Sequence, residues 1–259
     1  MKLTATKTIY ASLFSLLLIL PITATASEEA AHPEKAKWSY TGDTGPAHWG
    51  DLAPEFISCK SGKNQSPINI DTYIDSKLPG IKMDYSLLVA EDIVNNGHSI
   101  QVNIRSGGTV KIDDKKFELK QFHFHTPSEN MVNGKSYPLE VHFVHVNDAN
   151  ELAVVALLYQ PGQDNLALNP LLKNIPMNAG DSKRLGAKDV ELFERSKTLK
   201  NYVRFNGSLT TPPCTEGVRW IVMRAMPSIS RKQLNVFQQA LKHPNNRPIQ
   251  PLNARMIIK

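Results

Sequence analysis

The chain has 259 residues, with 30 Lys and Arg against 24 Asp and Glu and a formal net charge of +6. The basic residues are scattered among acids, with no basic run and no aromatic-interleaved patch, so nucleic acid is excluded as a partner and the mild basicity is ordinary surface. Its two cysteines, Cys59 and Cys214, lack the second pair that a zinc ribbon needs.

The first stretch is not read as fold. Lys2 and Lys7 flank the start of an apolar run, Ile9 to Leu20, that is too short to span a bilayer comfortably. Ala24-Thr25-Ala26 follows with the small-x-small form of a secretory cleavage site. Residues 1–26 therefore read as a signal peptide rather than an uncleaved anchor, and the protein as exported, to the periplasm or the exterior. Cleavage after Ala26 leaves 233 residues at net charge +4, enough for one large domain with a substantial core. No later stretch is long and apolar enough for a stable membrane insertion. In an exported chain an even pair of cysteines reads as a disulfide, with two buried thiols as the alternative.

Residues 27–36 read as a loose leader and 37–259 as the domain. Trp38 to Gly50 is turn-rich and aromatic, more a wrapping segment than a regular element. Asp51–Ser58 is expected to be a short helix, and Pro67 in NQSPINI argues against a central strand there. From about Tyr85 the pattern turns to β, with runs at 99–104, 109–112, 117–125, 139–146 and 151–159 separated by Gly, Asn and Asp turns. A late strand is expected over 219–226, and helices over 169–175 and 230–241. In the second helix Leu234, Phe237 and Leu241 share a face and Ser230 can cap.

Alternation on a strand sends residues two apart to one face. In QFHFH at 121–125, His123 and His125 project together and Phe122 and Phe124 go the other way. In LEVHFVHV at 139–146, His142 shares its face with Glu140 and Val144, whereas His145 has the opposite parity. If these runs are neighbours, three imidazoles converge. Gln121 and Glu140 are on the same faces, placed to hold the outer ring nitrogens. Three neutral nitrogens without a thiolate suit Zn2+, one per chain, with an open fourth position. The stretch HFHTPSE also has the His-x-His-x3-Glu form of a cupin. The rest of that pattern is missing: Phe117 stands where its Gly belongs, and Gly134 follows Glu129 too soon.

These residues resemble the α-class carbonic anhydrases. The resemblance runs from about Trp38 to Arg255 through GPAHWG (45–50), NQSPINI (64–70), NNGHS (95–99), QFHFHTPSE (121–129), FNGSLTTPP (205–213) and NNRPIQPLN (245–253), in the family's order. It implies an α+β, β-dominated single domain with a central, mostly antiparallel twisted sheet flanked by short helices, and zinc at the base of a conical cleft. His123, His125 and His142 match the zinc ligands, Thr210 the threonine that directs the nucleophile, Glu129 the glutamate that accepts from that threonine, and His98 the proton shuttle. Val144, Val154, Leu209 and Trp220 match the apolar wall for carbon dioxide, and Thr211, Tyr40, Asn96 and Gln101 the polar lining of the cleft. In bacterial members a disulfide joins cysteines placed like Cys59 and Cys214, and homodimers are frequent.

The resemblance has one departure. Thr126-Pro127 and Asn130 stand where many animal members have Trp-Gly and a His, so that loop is expected to pack differently without loss of chemistry. His98, in a turn, is expected to be exposed and mobile. The rival from another class is a carbonic-anhydrase-like binding protein that has lost catalysis. Such relatives usually lack a ligand histidine, and this chain keeps all three.

Overall fold

A computed structural model describes residues 36–186, 189–190 and 196–259. The expected signal peptide at 1–26, and all but Ala36 of the leader at 27–36, lie outside the described residues.

The wrapping segment leads into α1 (Trp49–Leu52) and α2 (Ser58–Ser61), separated by a 3-10 turn at Pro54–Phe56. The single helix expected over 51–58 is therefore broken. Pro54 disfavours helical backbone in the residue before it, and Ala53 is extended at φ −158°, ψ 150°. The strands that follow are β1 (Asn69–Ile70), β2 (Ile81–Asp84), β3 (Val89–Asn95), β4 (Ile100–Ser106) and β5 (Thr109–Ile112). Then come β6 (Lys115–His125), β7 (Met131–Val132), β8 (Leu139–Val146) and β9 (Leu152–Pro161), with α3 (Asn169–Leu172) after them. The chain closes with β10 (Ser182–Arg184), β11 (Ser196–Leu199), β12 (Tyr202–Ser208), β13 (Glu216–Met223), β14 (Ser228–Ile229) and α4 (Arg231–Leu241).

Among the described residues the main sheet has the order β10-β3-β4-β6-β8-β9-β13-β12, with β2, β5 and β11 branching from it. Its pairings are antiparallel except β9 with β13 and the short β14 with β9, which are parallel. The two-residue β1 pairs only with β7, which keeps Pro67 out of the main sheet.

Alternation along the central strands divides the interior in two. From β9, Val155, Leu157 and Tyr159 enter one core with Phe122, Phe124, Val141 and Phe143. Val154, Ala156 and Leu158 enter the other, with Phe205, Val218 and Trp220. The first core is closed by α4, whose Phe237, Ala240 and Leu241 are buried. Its start is a capping box: Ser230 Oγ accepts from Gln233 N, and the Gln233 side chain accepts from Ser230 N, satisfying two backbone donors that a helix start leaves free. The helix ends at Lys242, which is left-handed at φ 65°.

Strand β12 was hidden in the sequence because Asn206-Gly207 has the form of a turn. Gly207 instead lies inside the strand, where a Cβ would collide with Ser66 Oγ. The missing side chain leaves room for the Ser66 hydroxyl and the Trp220 and Phe205 rings, and the register shifts after it.

Candidate metal centre and its cleft

Strands β6 and β8 are neighbours at the middle of the sheet, and their register sets His123 directly opposite His142 and His125 opposite Glu140. The ligand atoms of His123, His125 and His142 lie within 4.8 Å of one another. Each ring is held from behind. His123 Nδ1 is 2.8 Å from Gln121 Oε1, His125 Nδ1 is 2.7 Å from the Asn245 carbonyl, and His142 Nε2 is 2.9 Å from Glu140 Oε1. Those oxygens are acceptors, so the nitrogens facing them carry the protons, leaving lone pairs on Nε2 of His123, Nε2 of His125 and Nδ1 of His142. Burial, then the neighbouring imidazoles, keeps His123 and His142 well below the ordinary histidine range, and burial lowers His125 too.

Three neutral lone pairs pointing at one another are a poor arrangement without a cation between them. His125 Nε2 is buried without a hydrogen-bond partner, which is costly for a polar atom. An imidazole donor set of this kind fits Zn2+.

Glu140 is itself fixed. Its carboxylate accepts from Glu129 N, Asn130 N and Asn130 Nδ2 at 2.8, 2.8 and 2.7 Å. Asn130 is thus the clamp on the group behind His142, and its Oδ1 also accepts from Ile68 N at 3.2 Å. Burial pushes the Glu129 carboxyl up to about 8, opposed by hydrogen bonds from Arg247 N and the Thr210 hydroxyl. A dication beside it would lower that value, since opposite charge favours the ionised form; its Oε2 is 3.5 Å from His125 Nε2 and 3.8 Å from His142 Nδ1.

Asn245 and Arg247 had gone unassigned in the sequence. Besides offering its carbonyl to His125, Asn245 donates from Nδ2 to the carbonyls of His98 and Phe124, both at 2.9 Å. Buried Arg247 donates its backbone N–H to Glu129 Oε1 and its guanidinium to Gln65 Oε1 and the carbonyls of Ser66 and Cys59. NNRPIQPLN at 245–253 was the only signal for both.

The remaining residues fall around this floor. Val144, Val154, Leu209 and Trp220 belong to one apolar cluster, and the Trp220 ring meets His142 edge-on at 4.9 Å. Thr211 is half-buried beside Thr210, and Gln101 is paired in register with His123. Tyr40 has its hydroxyl pKa raised well above the usual value by burial and by the charge of Glu129. Asn96 is exposed, and its Oδ1 accepts from His98 N and Ser99 N at 2.9 and 2.7 Å. It shapes the turn that carries His98. His98 departs from the expected free exposure: it is half-buried, with its ring stacked on Trp38 at 3.8 Å and 12°.

The profile of eukaryotic-type carbonic anhydrases matches residues 44–259. The chain belongs to the α-carbonic anhydrase family. A carbonic anhydrase of Neisseria gonorrhoeae is 45% identical over 245 residues, covering 94% of this chain and 96% of that one. The α-carbonic anhydrase of Thermovibrio ammonificans, solved with the inhibitor sulfanilamide, superposes with a TM-score of 0.80 at 43% identity over 87% of this chain and 100% of that one. A hyperthermostable carbonic anhydrase from a hydrothermal vent chimney gives a TM-score of 0.80 at 47% identity, over 86% and 99%.

This carbonic anhydrase also carries the Cys59–Cys214 disulfide, with Cα atoms 5.0 Å apart and a sequence separation of 155. Cys214 follows the loop of Thr210 and Thr211, and its carbonyl accepts from Gln65 Nε2 at 3.0 Å. Among the described residues, no helix is long and apolar enough to cross a membrane.

Proposed function

We propose that the protein is an exported, zinc-dependent enzyme that interconverts carbon dioxide and water with bicarbonate and a proton. The observation that carries this reading is the conjunction of three inward lone pairs with a threonine whose proton is committed to Glu129. When bound, zinc is a Lewis acid that brings the pKa of water at the site from 15.7 to about 7, the value known for carbonic anhydrases as a class.

His123, His125 and His142 would hold the ion, and Gln121, Glu140 and the Asn245 carbonyl would keep the rings aimed. Thr210, having donated to Glu129, offers only lone pairs to the cleft. It can accept, so it turns a neighbouring O–H donor and leaves that oxygen's free electron pair facing the apolar wall. Carbon dioxide is uncharged and needs no polar pocket, and the wall of Val144, Val154, Leu209 and Trp220 suits it. Thr211, Tyr40 and Gln101 supply polar lining. The leader at 1–26 and the disulfide both support export, because such bridges persist in oxidising compartments.

His98 would move the proton. Without a relay, a proton leaving a group of pKa about 7 for bulk water climbs about 9 pK units, or about 12 kcal/mol. That limits turnover to about 10⁴ per second, and an imidazole near pKa 7 removes the limit. His98→Ala is expected to slow hydration at low buffer and to recover with added imidazole. Equal rates for variant and wild type at low buffer would sink the assignment.

The reading as a whole is tested by metal content and carbon dioxide hydration of the mature protein, before and after chelation. One zinc per chain and activity lost with the metal are expected; zinc bound without hydration would point to a binding protein instead.

A further inference from the structure

The cluster around His98 contains a second imidazole that the chemistry above does not use. Residue 243 comes directly after the left-handed Lys242 that ends α4, and Asn245 pins the following segment from two sides. Asn245 donates to the His98 carbonyl and accepts from the ligand His125. The rim of the cleft is then a continuous set of rings: His98 on Trp38 at 3.8 Å, Trp38 against Tyr40 at 5.5 Å, and Tyr40 against His243 at 6.3 Å.

We propose that His243 is a second proton station, which takes protons from His98 and releases them to buffer outside the cleft. The proposal rests on the shuttle reading of His98.

The tautomer of His243 suits the part. Its Nδ1 is 3.0 Å from the Pro244 carbonyl, which can only accept, so Nδ1 carries the proton and Nε2 is the free base. A proton from the His98 imidazolium adds at that Nε2, and the same nitrogen gives it to a buffer base. His98 and His243 both return to neutral, and the Nδ1–H bond is untouched throughout. His243 is half-buried rather than enclosed, as an exit to solvent requires. The two imidazoles also act on each other: burial, then the charge of His243, lowers the pKa of His98. A lowered pKa makes the His98 imidazolium a readier proton donor. The other titratable groups near the pair are Tyr40, which stays protonated, and the exposed Lys242 next to His243.

The test compares wild type, His98→Ala, His243→Ala, His243→Gln and the double alanine variant. It reads kcat and kcat/KM for hydration at low and saturating buffer, with the His98 pKa followed by NMR titration. His243→Ala is expected to lower kcat severalfold at low buffer only, to leave kcat/KM unchanged and to raise the His98 pKa. His243→Gln, which keeps a donor for Pro244 but cannot titrate, is expected to match it. The double variant should be no slower than His98→Ala alone. Wild-type kcat for His243→Ala at low buffer would overturn the proposal, as would a deficit that persists at saturating buffer, the sign of a packing role. If His98→Ala itself equals wild type at low buffer, the shuttle reading fails first and takes this proposal with it.

Discussion

His142→Ala protein, purified with zinc present, is expected to hold far less than one equivalent of metal and to show no hydration above background. The substitution removes one of three lone pairs. It also leaves the Glu140 carboxylate buried with its histidine partner gone, though still bonded to Glu129 N and to Asn130. Metal analysis of folded protein checks it, with far-UV circular dichroism to verify the fold, and stoichiometric retained zinc would refute the ligand assignment. Glu140→Gln is the gentler companion. It keeps the volume and disturbs only the group behind the ligand, for which a loss of about 10- to 100-fold in metal affinity is expected. A larger effect from Glu140→Gln than from His142→Ala would mean that the carboxylate, not the imidazole, is the principal anchor.

The second large effect is expected from the disulfide. Replacing Cys59 and Cys214 together by Ser opens a loop of 155 residues, which the chain-entropy relation puts at about 5 kcal/mol of stability. For a domain of this size that corresponds to a fall in Tm of about 10–20 °C. The cost should also reach the site, because the bridge is tied in from both ends: Arg247 donates to the Cys59 carbonyl, and Gln65 to the Cys214 carbonyl. Denaturant titration of both proteins measures the difference. A change under about 1 kcal/mol would show that the Arg247 and Gln65 hydrogen bonds hold the loop without the bridge.

The parts of this molecule that could be read in its sequence are those set by local periodicity. Parity put His123 with His125 and Gln121, and His142 with Glu140, because strand geometry carries the pattern from residue to residue; that the two runs are neighbours was a condition which the register of β6 and β8 supplies. The third ring escaped the same reasoning. His125 is held by the carbonyl of Asn245, 120 residues away, and a backbone acceptor has no side-chain signature. Arg247 was missed for a similar reason, since its guanidinium bonds go to main-chain carbonyls or to an amide far along the chain. Strand β12 was obscured by a glycine required for close packing, and the break in the 51–58 helix lies in what Pro54 does to the backbone of Ala53. The turn at Asn96 held a local clue: Asn followed by Gly invites its side chain to bond the next amides, as it does with His98 and Ser99.

The anchoring of His125 and Glu129 by residues 245 and 247 has a consequence for how the centre is assembled. The three histidines are complete at residue 142, yet the groups that aim His125 and bond Glu129 belong to residues 245 and 247. Strand pairing alone therefore brings the imidazoles together without fully orienting them, and His125 takes its direction from a residue 120 positions later. The aim of the donor set is thus coupled to docking of residues 245–247, and not only to formation of the strands that carry the histidines.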